Sequence, residues 1–228
     1  MRMKILYVWL YDSWHLLKMF FASNFYLKPC DHYLKHAVEG KKAIVILPGI
    51  LEHWSFMRPI ADTLSFDGHP VYVIPKLKNN LLDIPSSALI VEEFILENNI
   101  DDAVIVAHSK GGLVGKYFLE YFNKDARVKG MVALATPFSG STLAKLIPRK
   151  AFLELLPDSA IIRELDARKI ANEKIISITP SFDNYVSAKD GSFLGGAREN
   201  IVVAISGHHA VISNKETGEL IKKCVQQF

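Results

Sequence analysis

Residues 103–112 read Ala-Val-Ile-Val-Ala-His-Ser-Lys-Gly-Gly: an apolar run suited to a buried strand passes straight into a small-X-Ser-X-Gly turn at Ala107 to Gly111. Leu113, Tyr117, Phe118, Leu119 and Phe122 then recur at helical spacing and predict an amphipathic helix over 110–123. A serine hydroxyl is a weak nucleophile at neutral pH, so a fold that uses one presents it at a sharp turn, beside a base and backbone N–H groups. A side chain larger than methyl at Ala107 or Gly111 is expected to collide where strand meets helix. From the pentapeptide alone Ser109 has two readings, a nucleophile or an ordinary N-cap of the following helix.

Outward from this turn, Val- and Ile-rich runs alternate with longer helical patterns from Lys42 onward. The runs predict strands over 43–47, 71–74, 103–107, 128–133, 175–178 and 201–205, with helices over 56–66, 87–98, 110–123 and 215–227. That alternation predicts an α/β fold, a mostly parallel sheet of six or slightly more strands covered on both faces. Residues 141–172 break the pattern: they are helical in character, contain Pro148 and Pro157, and are longer than a simple crossover needs. A small helical cap is expected there, with residues such as Leu143, Leu146, Phe152 and Leu156 lining an acyl pocket or serving as crossover packing.

Half of the 228 residues are apolar, enough for one domain over 29–228 with a substantial core. The net charge of +3 comes from interspersed acids and bases, which argues against a nucleic-acid partner. Cys30 and Cys224 stand far apart and are expected to be buried free thiols; neither a disulfide framework nor a zinc spacing is present. His32 and His36 lack a His-Glu-X-X-His context and are read as a solvated face.

The amino-terminal segment, residues 1–28, starts like a short signal peptide, but Asp12, His15 and Lys18 interrupt it. A helix over 5–22 would carry a narrow polar stripe and a broad apolar face with Trp9, Trp14, Phe20 and Phe21. The open readings are packing against the protein's own body, peripheral membrane contact, and a span, which three polar groups fit poorly. A cytoplasmic or peripherally membrane-associated address is favoured over secretion.

Acyl transfer by serine needs a base, a carboxylate to orient it, and N–H donors for the oxyanion. Gly207-His208-His209 follows the last expected strand, making His208 the first choice of base and His209 the second. Asp183, in the loop after the strand at 175–178, fits the orienting acid; Asp190, before a glycine, is its main competitor. Glu154, Asp158 and Asp166 fall in the expected cap and are worse placed. The backbone N–H groups of Ile50, after Pro48-Gly49, and of Lys110 are the expected oxyanion donors. The Lys110 side chain opposes the helix dipole; it is expected either to be an exposed ammonium loosely paired with a carboxylate or to border the pocket and favour anionic groups.

Taken together, Pro48-Gly-Ile-Leu-Glu-His-Trp54, Ala107-His-Ser-Lys-Gly-Gly112, Ala135-Thr-Pro-Phe-Ser-Gly-Ser141, Asp183 and Gly207-His208 resemble the oxyanion loop, nucleophile elbow, following segment, acid and base of the α/β-hydrolase superfamily, in particular small bacterial serine esterases and lipases. The order Ser109, Asp183, His208 is that of these enzymes. Ala107 and Pro48 depart from it, standing where many members have glycine and histidine. The resemblance implies an ester hydrolase acting through an acyl-enzyme on an apolar acyl ester or lipid, without metal or organic cofactor. Acyltransferase, thioesterase or amidase activity on the same residues, or a binding protein without turnover, are the alternatives.

Overall fold

The computed structural model describes residues 2–23, 28–186 and 191–228. Six strands, β1 (Ala43–Leu47), β2 (Val71–Val73), β3 (Ala103–His108), β4 (Val128–Leu134), β5 (Ile175–Phe182) and β6 (Glu199–Ser206), form one sheet in the order β2-β1-β3-β4-β5-β6. Every neighbouring pair is parallel. The helices are α1 (Arg2–Ser23), α2 (His32–Lys35), α3 (Arg58–Phe66), α4 (Ile84–Glu97), α5 (Lys110–Tyr121), α6 (Lys150–Leu153), α7 (Ala160–Ala167), α8 (Ala210–Ser213) and α9 (Lys215–Val225).

Alternation along the strands feeds two cores. Val45, Leu47, Ile105 and Ala133 face α4 and α5, where Val91, Ile95, Leu113 and Phe118 close the layer. Ile44, Ile46, Val104 and Val132 face the other way, onto Ile60 and Leu64 of α3 and Ile221 and Val225 of α9. Being apolar on both faces, β1 and β3 are the continuous Val/Ile runs expected of central parallel strands. Met19 of α1 is buried in this second core, with Leu16 packed against it.

Local chemistry adjusts several expected boundaries. The helix expected over 56–66 starts as a 3-10 turn, Trp54–Met57, before α3 takes over with a proline in its first turn. α4 begins at Ile84 rather than Ser87, because Pro85 fits the first turn and the Asp83 carboxylate accepts the Ser86 N–H at 2.9 Å. β5 runs on through Pro180 to Phe182, with an irregular register between those two residues that accommodates the proline.

The chain runs from β1 to β2 on one side, then returns past β1 to β3 and continues outward on the other. The strand order therefore reverses between β1 and β3, and the crevice outside their carboxyl ends is the natural place for a site. Leu47 pairs with Ala107 across that boundary, so Pro48-Gly49-Ile50 and Ser109 emerge side by side.

Candidate active site

Ser109 occupies the turn between β3 and α5 with φ 51° and ψ −123°. Such a conformation costs a non-glycine residue on the order of 1–3 kcal/mol and persists only where the surroundings enforce it. Here its N–H donates to the Leu134 carbonyl at 2.9 Å, tying it to β4. At Gly111 even a methyl would run into the Leu47 carbonyl oxygen at the end of β1, a tighter limit than expected, whereas Ala107 is fully buried. A Cβ at Gly112 would likewise meet the Thr136 side chain. The Ser109 side chain makes no helix-capping bond; its Oγ lies 2.9 Å from His208 Nε2.

His208 Nδ1 in turn lies 2.8 Å from Asp183 Oδ2. The other carboxylate oxygen of Asp183 accepts the N–H groups of Tyr185 and Val186, each at 2.8 Å. The structure thus brings Ser109, His208 and Asp183 into one chain, all but buried, at the ends of β3, β6 and β5. The competing Asp190 lies outside the described residues. Burial alone would raise the Asp183 carboxyl; the charge and bond of His208 and the two N–H donors outweigh it and hold it below the usual carboxylate value.

The N–H groups of Ile50 and Lys110 have no partner within the described residues. The loop before Ile50 is shaped by Glu52, a buried carboxylate that accepts the Gly49 N–H at 2.7 Å. Glu52 also pairs with His108 Nδ1 at 2.8 Å, and His108 Nε2 donates to the His208 carbonyl at 3.0 Å. Both His108 nitrogens therefore face acceptors, one on Glu52 and one on the His208 carbonyl.

α1 provides a second clamp. Asp12 is fully buried and accepts the N–H groups of His209 and Ala210 at 2.7 and 3.0 Å, as well as His209 Nδ1 at 2.9 Å. Asn184 bridges the two systems: its amide donates to Asp12 at 3.2 Å and its carbonyl oxygen accepts the His208 N–H at 3.1 Å. Rings continue the contact, with Trp9 against Tyr185 at 5.2 Å and Tyr185 against His208 at 5.3 Å. Burial would raise the Asp12 carboxyl, but His209 and the backbone donors hold it well below the usual range.

Burial also disfavours charge on both imidazoles. For His208 the attraction and bond of Asp183, helped by Glu52 and Asp12, reverse this and raise its pKa. For His209 burial and the charge of His208 prevail over Asp12 and lower it. His209 holds the loop, and its Nδ1 faces Asp12 rather than Ser109.

Lys110 is not an exposed ammonium. Its side chain is fully buried; Nζ donates to the Leu82 carbonyl at 2.6 Å and lies 2.6 Å from Glu154 Oε1. Glu154, at the end of α6, thereby ties the segment between β4 and β5 to the start of α5 and supplies the missing compensation for the helix dipole. Burial pushes Lys110 down and Glu154 up, each partly opposed by the other's charge.

Sequence reading missed Asp12, Glu52, His108 and Glu154 as parts of this network. One signal was present for the first: Asp12 is the sole acid in a helix otherwise dominated by apolar residues. Away from this site, ligand atoms of Cys30, His32 and Asp62 lie within 4.8 Å of one another. Asp62 there already faces His32 at 3.2 Å and Arg58 Nε at 3.1 Å, the pattern of an ion-pair cluster rather than a cation site. Cys224 is buried as expected, while Cys30 is half-buried.

No protein-family model and no curated protein sequence matches the chain. Solved structures do. The mature lipase BlEst2 of Bacillus licheniformis superposes with a TM-score of 0.70 at 14% identity, over 84% of this chain and 95% of that one. MGS-MChE2, an α/β hydrolase enzyme from a sediment metagenome, gives 0.63 at 17% identity over 82% and 91%. Lipase B of Aspergillus fumigatus gives 0.61 at 16% identity over 83% and 49%. With its reversing parallel sheet and its serine at the turn after β3, the chain has the α/β-hydrolase fold.

Proposed function

We propose that the protein is a serine-dependent carboxylic ester hydrolase. The observation that carries this reading is the continuous chain Ser109 Oγ to His208 Nε2 at 2.9 Å and His208 Nδ1 to Asp183 Oδ2 at 2.8 Å, on a strained strand-to-helix turn. Ser109 Oγ attacks the ester carbonyl carbon while His208 Nε2 takes its proton. The oxyanion so formed is stabilised by the N–H groups of Ile50 and Lys110. The tetrahedral intermediate collapses, the alkoxide leaves with the proton from His208, and an acyl-Ser109 ester remains. Water then attacks this ester, gives a proton to His208, and the acid departs as the proton returns to Ser109. Asp183 holds the imidazole in the tautomer this cycle needs and stabilises its charged form.

An apolar acyl ester or lipid is the proposed substrate class. The exposed Leu51, which follows Ile50, and the exposed Leu81 and Leu153, next in sequence to the Leu82 and Glu154 that hold Lys110, favour an apolar acyl group. The names of the lipases among the structural neighbours point the same way. A panel of esters with increasing acyl length, assayed on the wild type and Ser109→Ala, tests the reading. The wild type is expected to hydrolyse at least the apolar members and Ser109→Ala none; equal rates for the two proteins contradict it.

A further inference from the structure

α1 is inside-out relative to an ordinary surface helix. Its one acid, Asp12, and Met19 face the body, with Val8, Leu16 and His15 half-buried along the same side. The opposite side carries Leu6, Leu10, Trp14, Leu17 and Phe21, spaced four, four, three and four residues apart and 46–64% exposed. A surface helix normally turns its charges outward. The remaining charges of α1 are basic in the sequence, at Arg2, Lys4 and Lys18. Lys18 is exposed, with its ammonium 5.9 Å from the Trp14 ring.

A second feature opens beside this face. Between α1 and the edge strand β6 lies a groove of about 710 Å³, lined among others by Tyr7, Val8 and Tyr11 of α1 and by Phe182, Ala204 and Ile205. It is mainly apolar and would accept an alkyl chain lying along the helix. Among the described residues no helix is long and apolar enough to cross a membrane.

We propose that the outer face of α1 docks on the anionic surface of a phospholipid bilayer. Leu6, Leu10, Trp14, Leu17 and Phe21 enter the headgroup boundary, Lys18 meets lipid phosphates, and the groove against β6 takes an acyl chain. Charge selects this occupant: the helix presents the exposed Lys18 and no exposed acid, and a base at this depth is drawn to an anionic surface. Because Asp12 fixes the inner face of α1 to the loop bearing His208, docking would hold Ser109 close to the lipid. The docking does not depend on turnover and stands apart from the hydrolase reading.

The test is flotation of the full chain with phosphatidylcholine vesicles, with and without phosphatidylglycerol. Deleting α1 would remove Asp12 as well, so the variants are Leu10→Glu/Trp14→Glu and, more gently, Trp14→Ser, both at exposed positions. Wild type and Ser109→Ala are expected to float equally with the anionic vesicles, less when salt rises from about 0.1 to about 1 M. The double variant is expected to stay with the unbound fraction, and Trp14→Ser to float less than wild type, while both keep their melting temperature and their hydrolysis of a short soluble ester. Wild type remaining unbound, or folded double variant floating as wild type does, overturns the proposal. So does light scattering that finds a dimer without lipid, dissociated by the double variant, together with no vesicle binding, since the face would then seat a second copy.

Discussion

His208 and His209 carry the same side chain on adjacent residues, and their surroundings separate them. Only His208 faces both a hydroxyl and a carboxylate that can orient it. His208→Ala is expected to lower kcat by about 10⁴-fold or more, whereas His209→Ala, which removes a ring that faces Asp12 and Glu52 but not Ser109, should leave a measurable rate; a dead His209→Ala beside an active His208→Ala would reverse the assignment. The pH profile follows from the same contacts. His208 must be neutral to take the Ser109 proton, and its pKa is raised above 6.5, so kcat/KM should rise with pH through a step above that value. Asp183→Asn is expected to move the step to lower pH and to cost about 10⁴-fold in kcat; an unmoved step would show that Asp183 does not set it. Lys110 tells a different story. Lys110→Met would leave the largely buried Glu154 without its cation, holding only the Ile84 N–H, and should cost about 3 kcal/mol in urea unfolding, with part of the loss restored by adding Glu154→Leu.

Among the elements, α1 is where sequence and structure diverge most. Its apolar character and its boundaries were legible to within a few residues, but its role in the loop of His208 was not. Asp12 and His209 are 197 residues apart, and a carboxylate meeting two backbone N–H groups leaves no periodic trace. The elbow was legible because it is local: strand, serine and glycine follow within ten residues, and sterics alone demand small side chains there. Asp12→Ala should free α1 and loosen this loop, lowering kcat and exposing α1 to limited proteolysis. The carboxyl is held below its usual 3.8, so its stabilisation is complete above that value and is lost as pH falls below it. Protection of the α1 amides, measured against their intrinsic exchange rates at each pH, should accordingly hold from neutral pH to about 4 and fall further down, whereas Asp12→Asn should already be less protected at neutral pH.

For the whole molecule, six strands in a parallel sheet were foreshadowed by the alternation of Val/Ile runs with helical patterns, since a central parallel strand must be apolar on both faces; their order in the sheet was not. Pro180 masked the second half of β5 because proline argues against a strand interior, and only the paired β6 shows how the register absorbs it. The short helices between β4 and β5 were legible as helical, but not as the source of the Lys110 partner. What the whole fold accomplishes is to set three loop ends around one hydroxyl, and a fluorophosphonate reports on that hydroxyl most directly. Intact-mass and peptide analysis of the folded protein should find one phosphonyl adduct, on Ser109, formed with loss of fluoride, absent in Ser109→Ala and strongly slowed in His208→Ala. Folded wild type that stays unlabelled, or is labelled at another residue, would contradict the account.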